Sequence, residues 1–201
     1  MSVDSDIIRR SVQTPSAFAE LFERHARVIG AFAARRVGYD AAEDILSETF
    51  LVAFRRRGDF DATWESAKPW LLGIASRLIR KHRGREAAQW RAFAAAAERA
   101  ATATDSGIDA VGSRADAAAD LRALAPRIAA LAARDRDTLL LYAWGELTYG
   151  QIAVAQGIPV GTVRSRLNRV RRNLAPPDSQ SGAHRMRTSG EEADGRLGSR
   201  A

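Results

Sequence analysis

The sequence predicts an all-α protein in which a flexible linker joins two small helical domains, the second carrying a helix-turn-helix. Three observations support this prediction. Large apolar residues recur at three- and four-residue steps in both halves of the 201-residue chain, as on one face of a helix. Alternating strand patterns are essentially missing. An alanine-rich segment with little apolar bulk lies between the halves.

The first domain is predicted over residues 14–91. Thr14 offers a side-chain oxygen that can cap a helix, and Pro15 suits the first helical turn. Apolar residues then follow the helical period in three successive stretches, of which the first ends near Gly38 and the second begins at Asp40. We therefore expect three helices, over about 15–38, 40–57 and 66–83, with an irregular stretch over 58–65.

The rest of the chain divides into a linker, a second domain and a tail. Residues 92–115 are rich in alanine and then in Thr, Asp, Ser and Gly, which predicts a linker. Helix-spaced leucines and isoleucines place the second domain over 116–175, with Pro126 marking a kink or a new helix start. The tail over 176–201 is predicted to be disordered, because its only sizeable aliphatic side chains are Met186 and Leu197.

Composition narrows the possible functions. The net charge of +7 and the pI of about 10.8 indicate a polyanionic partner. The chain has no cysteine, and its three histidines are scattered, so no metal or other cofactor is predicted. The sequence also lacks a phosphate- or dinucleotide-binding glycine loop and a histidine–carboxylate constellation, so an enzyme is not predicted.

The expected location is the cytoplasm. No run of apolar residues reaches the roughly 18 that a membrane-spanning helix needs, so membrane insertion is not expected. The first residues, MSVDSDIIRRSVQ, do not contain the long apolar stretch of a secretory signal.

The segment from Thr148 to Leu174 has the pattern of a helix-turn-helix, in which Thr148 can cap the first, short helix. Ala153 is small where two helices cross closely, and Gly157 four residues later can adopt the positive φ of a tight turn. Val163, six residues further on, is predicted to face the core.

The second helix of this motif, over about 160–173, holds five arginines and no acid. In such motifs the second helix enters the major groove, where Arg can pair with guanine and Asn with adenine. We expect base contacts from Arg164, Ser165 and Asn168, and base or phosphate contacts from Arg169. Phosphate contacts are expected from Thr162, Arg166, Arg171 and Arg172. The alternative is a solvated basic face on a structural helix pair.

Read in order, these segments resemble one family. RDRDTLLLYAWGELTYGQIAVAQGIPVGTVRSRLNRVRRNL resembles region 4 of an extracytoplasmic-function (ECF) sigma factor of the sigma-70 family. The segments FAELFERHARVIGAFAARRVG, DAAEDILSETFLVAF and KPWLLGIASRLIRKHRGR resemble regions 2.1, 2.2 and 2.3–2.4 in that order. The resemblance covers about 14–86 and 116–175. It implies a protein that binds RNA polymerase core and directs transcription initiation at particular promoters.

The resemblance assigns a protein partner to one acidic helix. The helix that begins DAAEDILSETF resembles the segment that docks on the coiled coil of the polymerase β′ subunit. The candidate residues are Asp40, Glu43, Asp44 and Glu48. The alternative is an ordinary solvated face, since acids near a helix N-terminus are favoured by the helix dipole.

The resemblance also implies a site for the melted −10 element of the promoter. Residues 60–70 resemble the loop and helix start that capture an unstacked base, for which Phe60 and Trp64 are the candidates. Trp70 is expected in the core instead. A basic cluster that suits the backbone of the opened strand follows at Arg77, Arg80, Lys81 and Arg83, with Arg85 beyond it. The alternative for any single member is a charged solvent face.

The predicted function is therefore that of a sigma factor, with region 4 reading the −35 element as duplex DNA and region 2 stabilising the melted −10 element. An anti-sigma protein is a further expected partner. The alternative is a helix-turn-helix regulator that acts without joining polymerase core. Such a regulator needs a dimerising or ligand-sensing unit, and residues 14–86 contain no pattern for one.

Overall fold

The computed structural model describes residues 3–104 and 124–175, so the predicted tail, residues 105–115 of the predicted linker and residues 116–123 of the predicted second domain lie outside the described residues. The described residues form helices and contain no strand, which confirms the all-α prediction. The α-helices are α1 Asp4–Gln13, α2 Ala19–Val37, α3 Tyr39–Arg55, α4 Lys68–Lys81, α5 Arg83–Thr104, α6 over 124–130, α7 Ala133–Ala143, α8 Tyr149–Gln156 and α9 Val160–Leu174.

Helix α1 was not predicted. Its buried face carries three polar residues, Asp4, Ser5 and Ser11, and only two apolar ones, Ile7 and Ile8. Both are almost completely buried against the first unit, formed by α1–α5. The chain then passes through a 3₁₀ turn, Pro15–Phe18, before α2 begins, so the helix predicted from Pro15 starts four residues later.

The predicted break between the first two helices of this domain is confirmed at Gly38. This residue has a φ of 84° and separates α2 from α3. Its N–H donates to the carbonyl of Ala34 at 3.0 Å, and its own carbonyl accepts from the N–H of Ala42 at 3.1 Å. A positive φ is inexpensive only for a residue without a Cβ, so glycine allows one residue to end one helix and begin the next.

Helix α5 extends into the segment that the sequence predicts as linker. Residues 92–104 continue the helix that begins at Arg83, in keeping with the high helix propensity of alanine. Trp90 near its start is buried and stacks on Trp144, the residue that follows α7, with ring centroids 5.8 Å apart and an interplanar angle of 10°. This stack joins the first unit to the second, which comprises α6–α9.

The two units pack directly against one another through α4 and α8. A Cβ placed on Gly73 of α4 would collide with the backbone carbonyl of Ala155 in α8 and lie 3.0 Å from its Cα. Leu71 and Leu72 of α4 and Ile152 of α8 are fully buried and belong to one continuous core. The described residues include no helix long and apolar enough to cross a membrane.

A buried charge cluster lies at the same contact. The Arg36 side chain is 1% exposed and binds Glu86 of α5, and its Nη2 also donates to Asp137 Oδ1 of α7 at 2.6 Å. Arg80 of α4 lies 3.5 Å from the other oxygen of Asp137. Buried ions need such partners because leaving one unpaired is costly.

Candidate nucleic-acid interface

The turn between α8 and α9 has the geometry predicted for a helix-turn-helix. Thr148 caps α8 through its hydroxyl, which accepts from the Gln151 N–H at 3.3 Å, while the Thr148 N–H donates to Gln151 Oε1 at 2.9 Å. Gly157 ends α8 in the left-handed conformation with a φ of 65°. Val163 is fully buried, as expected. Gln151 thus completes a reciprocal cap that satisfies two backbone N–H groups.

Helix α9 presents an exposed, cationic outer face. Val163, Leu167 and Val170 are buried, and this stripe orients the other faces of the helix toward solvent. The three predicted base-reading residues are all exposed: Arg164, Ser165 and Asn168. Of the predicted phosphate contacts, Arg171 and Arg172 are exposed, whereas Thr162 and Arg166 are half-buried.

Among the described residues, Asp135, Gln156 and Tyr149 lie outside α9 and hold side chains of that helix, and none of the three was predicted from the sequence. Asp135 of α7 is 3% exposed and accepts from Arg169 Nη1 at 2.9 Å. Gln156 Oε1 accepts from Arg166 Nη1 at 3.0 Å. The Tyr149 hydroxyl accepts from Arg171 Nη2 at 3.1 Å. These contacts preorganise the cationic face, and they join residues whose pairing no local spacing reveals.

A pocket of about 230 Å³ lies beside the irregular segment between α3 and α4. Phe60 and Trp64 both line it, as does Trp70 at the start of α4. The rings of Phe60 and Trp70 are tilted by 60° with centroids 5.2 Å apart. Trp70 packs against the core, as predicted, but it is half-buried and also contributes a wall of the pocket. Aromatic walls of this kind can stack on a base.

The predicted −10 cations sit on α4 and at the start of α5. Arg77 and Lys81 are exposed, Arg80 is half-buried, and the side chain of Arg83 lies outside the described part. Desolvation, with repulsion from Arg56 and Arg80, lowers the pKa of Arg77 below its ordinary value. A crowded guanidinium of this kind gains from an anionic partner.

The second unit occupies part of this surface. Val154 of α8 lines the aromatic pocket, and Arg77 Nη2 donates to the carbonyl of Ala155 at 3.4 Å. Arg80 also lies in a groove lined by α9 residues Thr162, Ser165, Arg166 and Arg169. One candidate −10 residue, Arg80, therefore shares a groove with four candidate −35 residues in this arrangement.

The acidic face of α3 lies elsewhere on the first unit. The carboxylates of Asp40, Glu43, Asp44 and Glu48 are all exposed. An open groove of about 740 Å³ runs along this face and is lined by Asp40, Glu43, Leu46 and Tyr39. Tyr39 is 85% exposed, an unusual placement for a large aromatic side chain. Among the described residues no cluster of His, Asp and Glu is arranged to hold a metal ion.

Comparison with known proteins agrees with this geometry. Residues 21–89 match the family model for sigma-70 region 2, and residues 121–174 match the model for sigma-70 region 4. The chain is 32% identical over 149 residues to the ECF RNA polymerase sigma factor SigL of Mycobacterium tuberculosis. The match covers 74% of this chain and 81% of SigL.

Two solved structures share the fold. CnrH in complex with the cytosolic domain of CnrY superposes with a TM-score of 0.59 at 20% identity, covering 90% of this chain and 97% of CnrH. RpoE of Bartonella quintana, solved with the anti-sigma factor NepR, gives a TM-score of 0.51 at 23% identity, covering 78% and 93%.

The two helical units and their DNA-binding motif define a transcription factor of the sigma-70 class. The chain belongs to the ECF sigma factors of that family, as the region 2 and region 4 matches and the relationship to SigL show. It is therefore a sigma factor, which acts in transcription initiation with RNA polymerase, and the predicted family is confirmed.

Proposed function

We propose that this sigma factor uses three surfaces, one that docks on polymerase and two that bind promoter DNA. The observation that carries the proposal is the separation of charge in a chain with a net charge of +7. Helix α3 exposes four carboxylates, whereas α9 contains five arginines and no acid. Acids repel DNA phosphates and cations attract them, so the two faces suit different partners.

In this proposal the second unit reads the −35 element. The N-terminal part of α9 enters the major groove, where Arg164, Ser165 and Asn168 meet base edges. The remaining cations of α9, together with Thr162, contact phosphates. Arg169 and Arg166 are already oriented by Asp135 and Gln156, so less side-chain entropy is lost on binding.

The first unit captures the melted −10 element. A flipped base enters the pocket at Phe60 and Trp64 and stacks against the aromatic walls. This stacking replaces the stacking energy that the base loses when it leaves the duplex. Arg77, Arg80, Lys81 and Arg83 lie along α4 and the start of α5, in a position to follow the backbone of the same strand.

The polymerase docks on α3. A coiled coil with basic residues complements Asp40, Glu43, Asp44 and Glu48, and the exposed ring of Tyr39 supplies apolar area at the N-terminal end of the same helix. An anti-sigma protein that covers this groove would compete with polymerase. Both structural relatives above were solved with a partner protein, in one case an anti-sigma factor, which supports such a competitor here.

Promoter binding requires the two units to separate. Positions −35 and −10 differ by about 25 base pairs, or roughly 80 Å of DNA at about 3.4 Å per base pair. In the docked arrangement Arg80 and the α9 residues line one groove, which is far too short to span that distance. The segment between α5 and α6 then acts as a tether that lets the units settle at the spacing that polymerase sets.

Gly73→Ala tests this separation. A Cβ at this position collides with the Ala155 carbonyl and costs about 1–3 kcal/mol in the docked form alone. The chain has no cysteine, so spin labels can be introduced by Val28→Cys and Val160→Cys, one on each unit. We expect longer label distances and tighter binding of forked promoter DNA than for Gly30→Ala, whose Cβ meets only an ordinary 3.7 Å contact. Unchanged distances would show that this contact does not hold the units together.

Transcription with purified core polymerase tests the whole proposal. Core supplied with this protein should start transcripts at specific sites on genomic fragments, and an Asp44→Arg variant should lose most of that activity while still binding −35 duplex. If the protein binds duplex DNA but never initiates with core, the proposal is wrong, and the result favours a regulator that acts independently of polymerase. We also place the protein in the cytoplasm, because polymerase and promoter DNA are there. In this proposal it has no catalytic chemistry of its own.

A further inference from the structure

Helix α1 is tied to both ends of the segment that forms the aromatic pocket. At one end the Asp4 N–H donates to the carbonyl of Glu65 at 3.0 Å, and the Ala67 N–H donates to Asp4 Oδ2 at 2.8 Å. At the other end Arg57 Nε donates to the carbonyl of Ser11 at 3.2 Å. A single ten-residue helix therefore spans the entry and the exit of residues 57–67.

Asp4 is the centre of the first attachment. Its side chain is 7% exposed and accepts from His25 Nε2 at 2.6 Å and from Arg24 Nη1 at 3.1 Å. Ala67, which it also binds, is the fully buried residue that precedes α4 and has no side chain to cap that helix. Asp4 thus supplies, from 63 residues away, an acceptor for the Ala67 N–H at the N-terminus of α4, where the Ser66 hydroxyl accepts from the Lys68 N–H at 3.3 Å.

Arg57 makes the second attachment rigid. Besides the bond to Ser11, its Nη1 donates to the carbonyl of Phe54 at 2.6 Å, and its guanidinium lies 4.0 Å from the centroid of the Phe54 ring. Ser11 is fully buried, and Ile7 and Ile8 fix the middle of α1 in the core. The helix cannot shift without breaking these contacts, so both ends of the segment stay fixed.

We infer that α1 positions the pocket, and that Asp4 is a positioning residue for recognition of the flipped base. This inference rests on the proposed base capture by Phe60 and Trp64. With both ends of residues 57–67 held, the aromatic walls keep one separation before DNA arrives, and a wrong base meets walls that do not adapt. Loosening an end lowers discrimination among bases more than it lowers total affinity.

The test uses Asp4→Ala in the full chain assembled with core polymerase, and Asp6→Ala is the matched control. Asp6 lies on the same helix but is exposed, and its carboxylate pairs with Arg9 of that helix at 3.1 Å. The measurement is the affinity ratio for forked DNA with the preferred or a substituted base at the unpaired −10 position. We expect Asp4→Ala to lower this ratio about tenfold and Asp6→Ala to leave it unchanged.

Binding to −35 duplex and to core separates positioning from general damage. We expect both to stay within about twofold of the unaltered protein in Asp4→Ala. An unchanged base ratio overturns the inference, as does a parallel loss of all three activities. If Asp4→Ala does not fold, Arg57→Lys tests the same inference at the other end of the segment. It keeps the positive charge and removes the Nε donor that binds Ser11, so a tenfold lower base ratio is again expected.

Failure of the underlying proposal looks different. If Phe60→Ala and Trp64→Ala leave the base ratio unchanged, base capture in this pocket is wrong and α1 has nothing to position. If those two variants lower the ratio while Asp4→Ala and Arg57→Lys do not, base capture stands and the role of α1 is rejected.

Discussion

The two units of this sigma factor build their proposed nucleic-acid surfaces in opposite ways. The surface of the second unit lies mostly on α9, within a motif that is continuous from Thr148 to Leu174. The pocket of the first unit depends on Asp4, Arg57 and Trp70, which come from three separate parts of the chain. On a surface formed by one helix, a substitution removes one contact and leaves the others in place. In a pocket held by contacts between distant segments, the loss of one contact can move the whole pocket.

The largest expected effect concerns a buried ion-pair cluster that joins distant segments of the chain. Arg36→Ala leaves Glu86 and Asp137 buried without their main partner, and we expect the free energy of unfolding to fall by about 3 kcal/mol. Arg80 and Arg136 remain near these acids and limit the loss. Chemical denaturation followed by circular dichroism measures it.

The control for Arg36→Ala is Arg9→Ala, which removes an exposed ion pair with Asp6 and should change stability by less than about 1 kcal/mol. Equal small losses for both variants would mean that the charge cluster is not buried in solution. The two units would then be apart in the free protein, and the Arg36–Asp137 pair would not join them.

The second prediction addresses the local surface. Arg164→Ala removes an exposed side chain from α9 with no packing role, so the fold should be unaffected while affinity for −35 duplex falls about 10- to 100-fold. Fluorescence anisotropy on promoter duplexes measures this. Arg27→Ala, an exposed arginine on α2, should bind as the unaltered protein does. An equal effect of the two variants would reduce α9 to a general basic surface.

This contrast explains what could be predicted from the sequence. The cap at Thr148, the turn at Gly157 and the buried Val163 follow from spacings of a few residues, and all three were predicted. Helix α1 was missed because three of the five residues on its buried face are polar, so apolar periodicity does not reveal it. Its attachment at Asp4 lies 63 residues from Ala67, and the Arg36–Asp137 pair spans 101, distances over which spacing carries no signal.

The third prediction concerns pH and the attachment of α1. Burial by itself raises the pKa of Asp4, but the hydrogen bonds from His25, the Ala67 N–H and Arg24 outweigh it and lower the pKa from 3.8 to about 2. A carboxylate whose pKa is lower in the folded state stabilises the fold above its unfolded pKa and loses that contribution as pH falls. The stabilisation is about 2 kcal/mol and is lost between pH 3.8 and about 2.

Acid titration of unfolding free energy checks this prediction. Asp4→Asn should be less stable than the unaltered protein at pH 6 and should approach it near pH 2, because the titrating carboxylate is gone. The control Asp6→Asn should follow the unaltered protein throughout. A difference between Asp4→Asn and the unaltered protein that does not change with pH would show that the charge of Asp4 is not what ties α1 to α4.

The smallest expected effect returns to the local motif. Thr148→Ala removes the hydroxyl that caps α8, which should cost about 1 kcal/mol of stability and leave the folded geometry of α9 intact. Affinity for −35 duplex should then change less than twofold at temperatures where the protein is folded, because α9 keeps its contacts with Asp135 and Tyr149. Thr162→Ala is the matched comparison: it also removes a hydroxyl from the motif, but at a predicted phosphate contact, so it should weaken DNA binding more than it weakens the fold. The reverse pattern would mean that the recognition surface depends on the turn as a whole, and the second unit would then resemble the first in how its site is built.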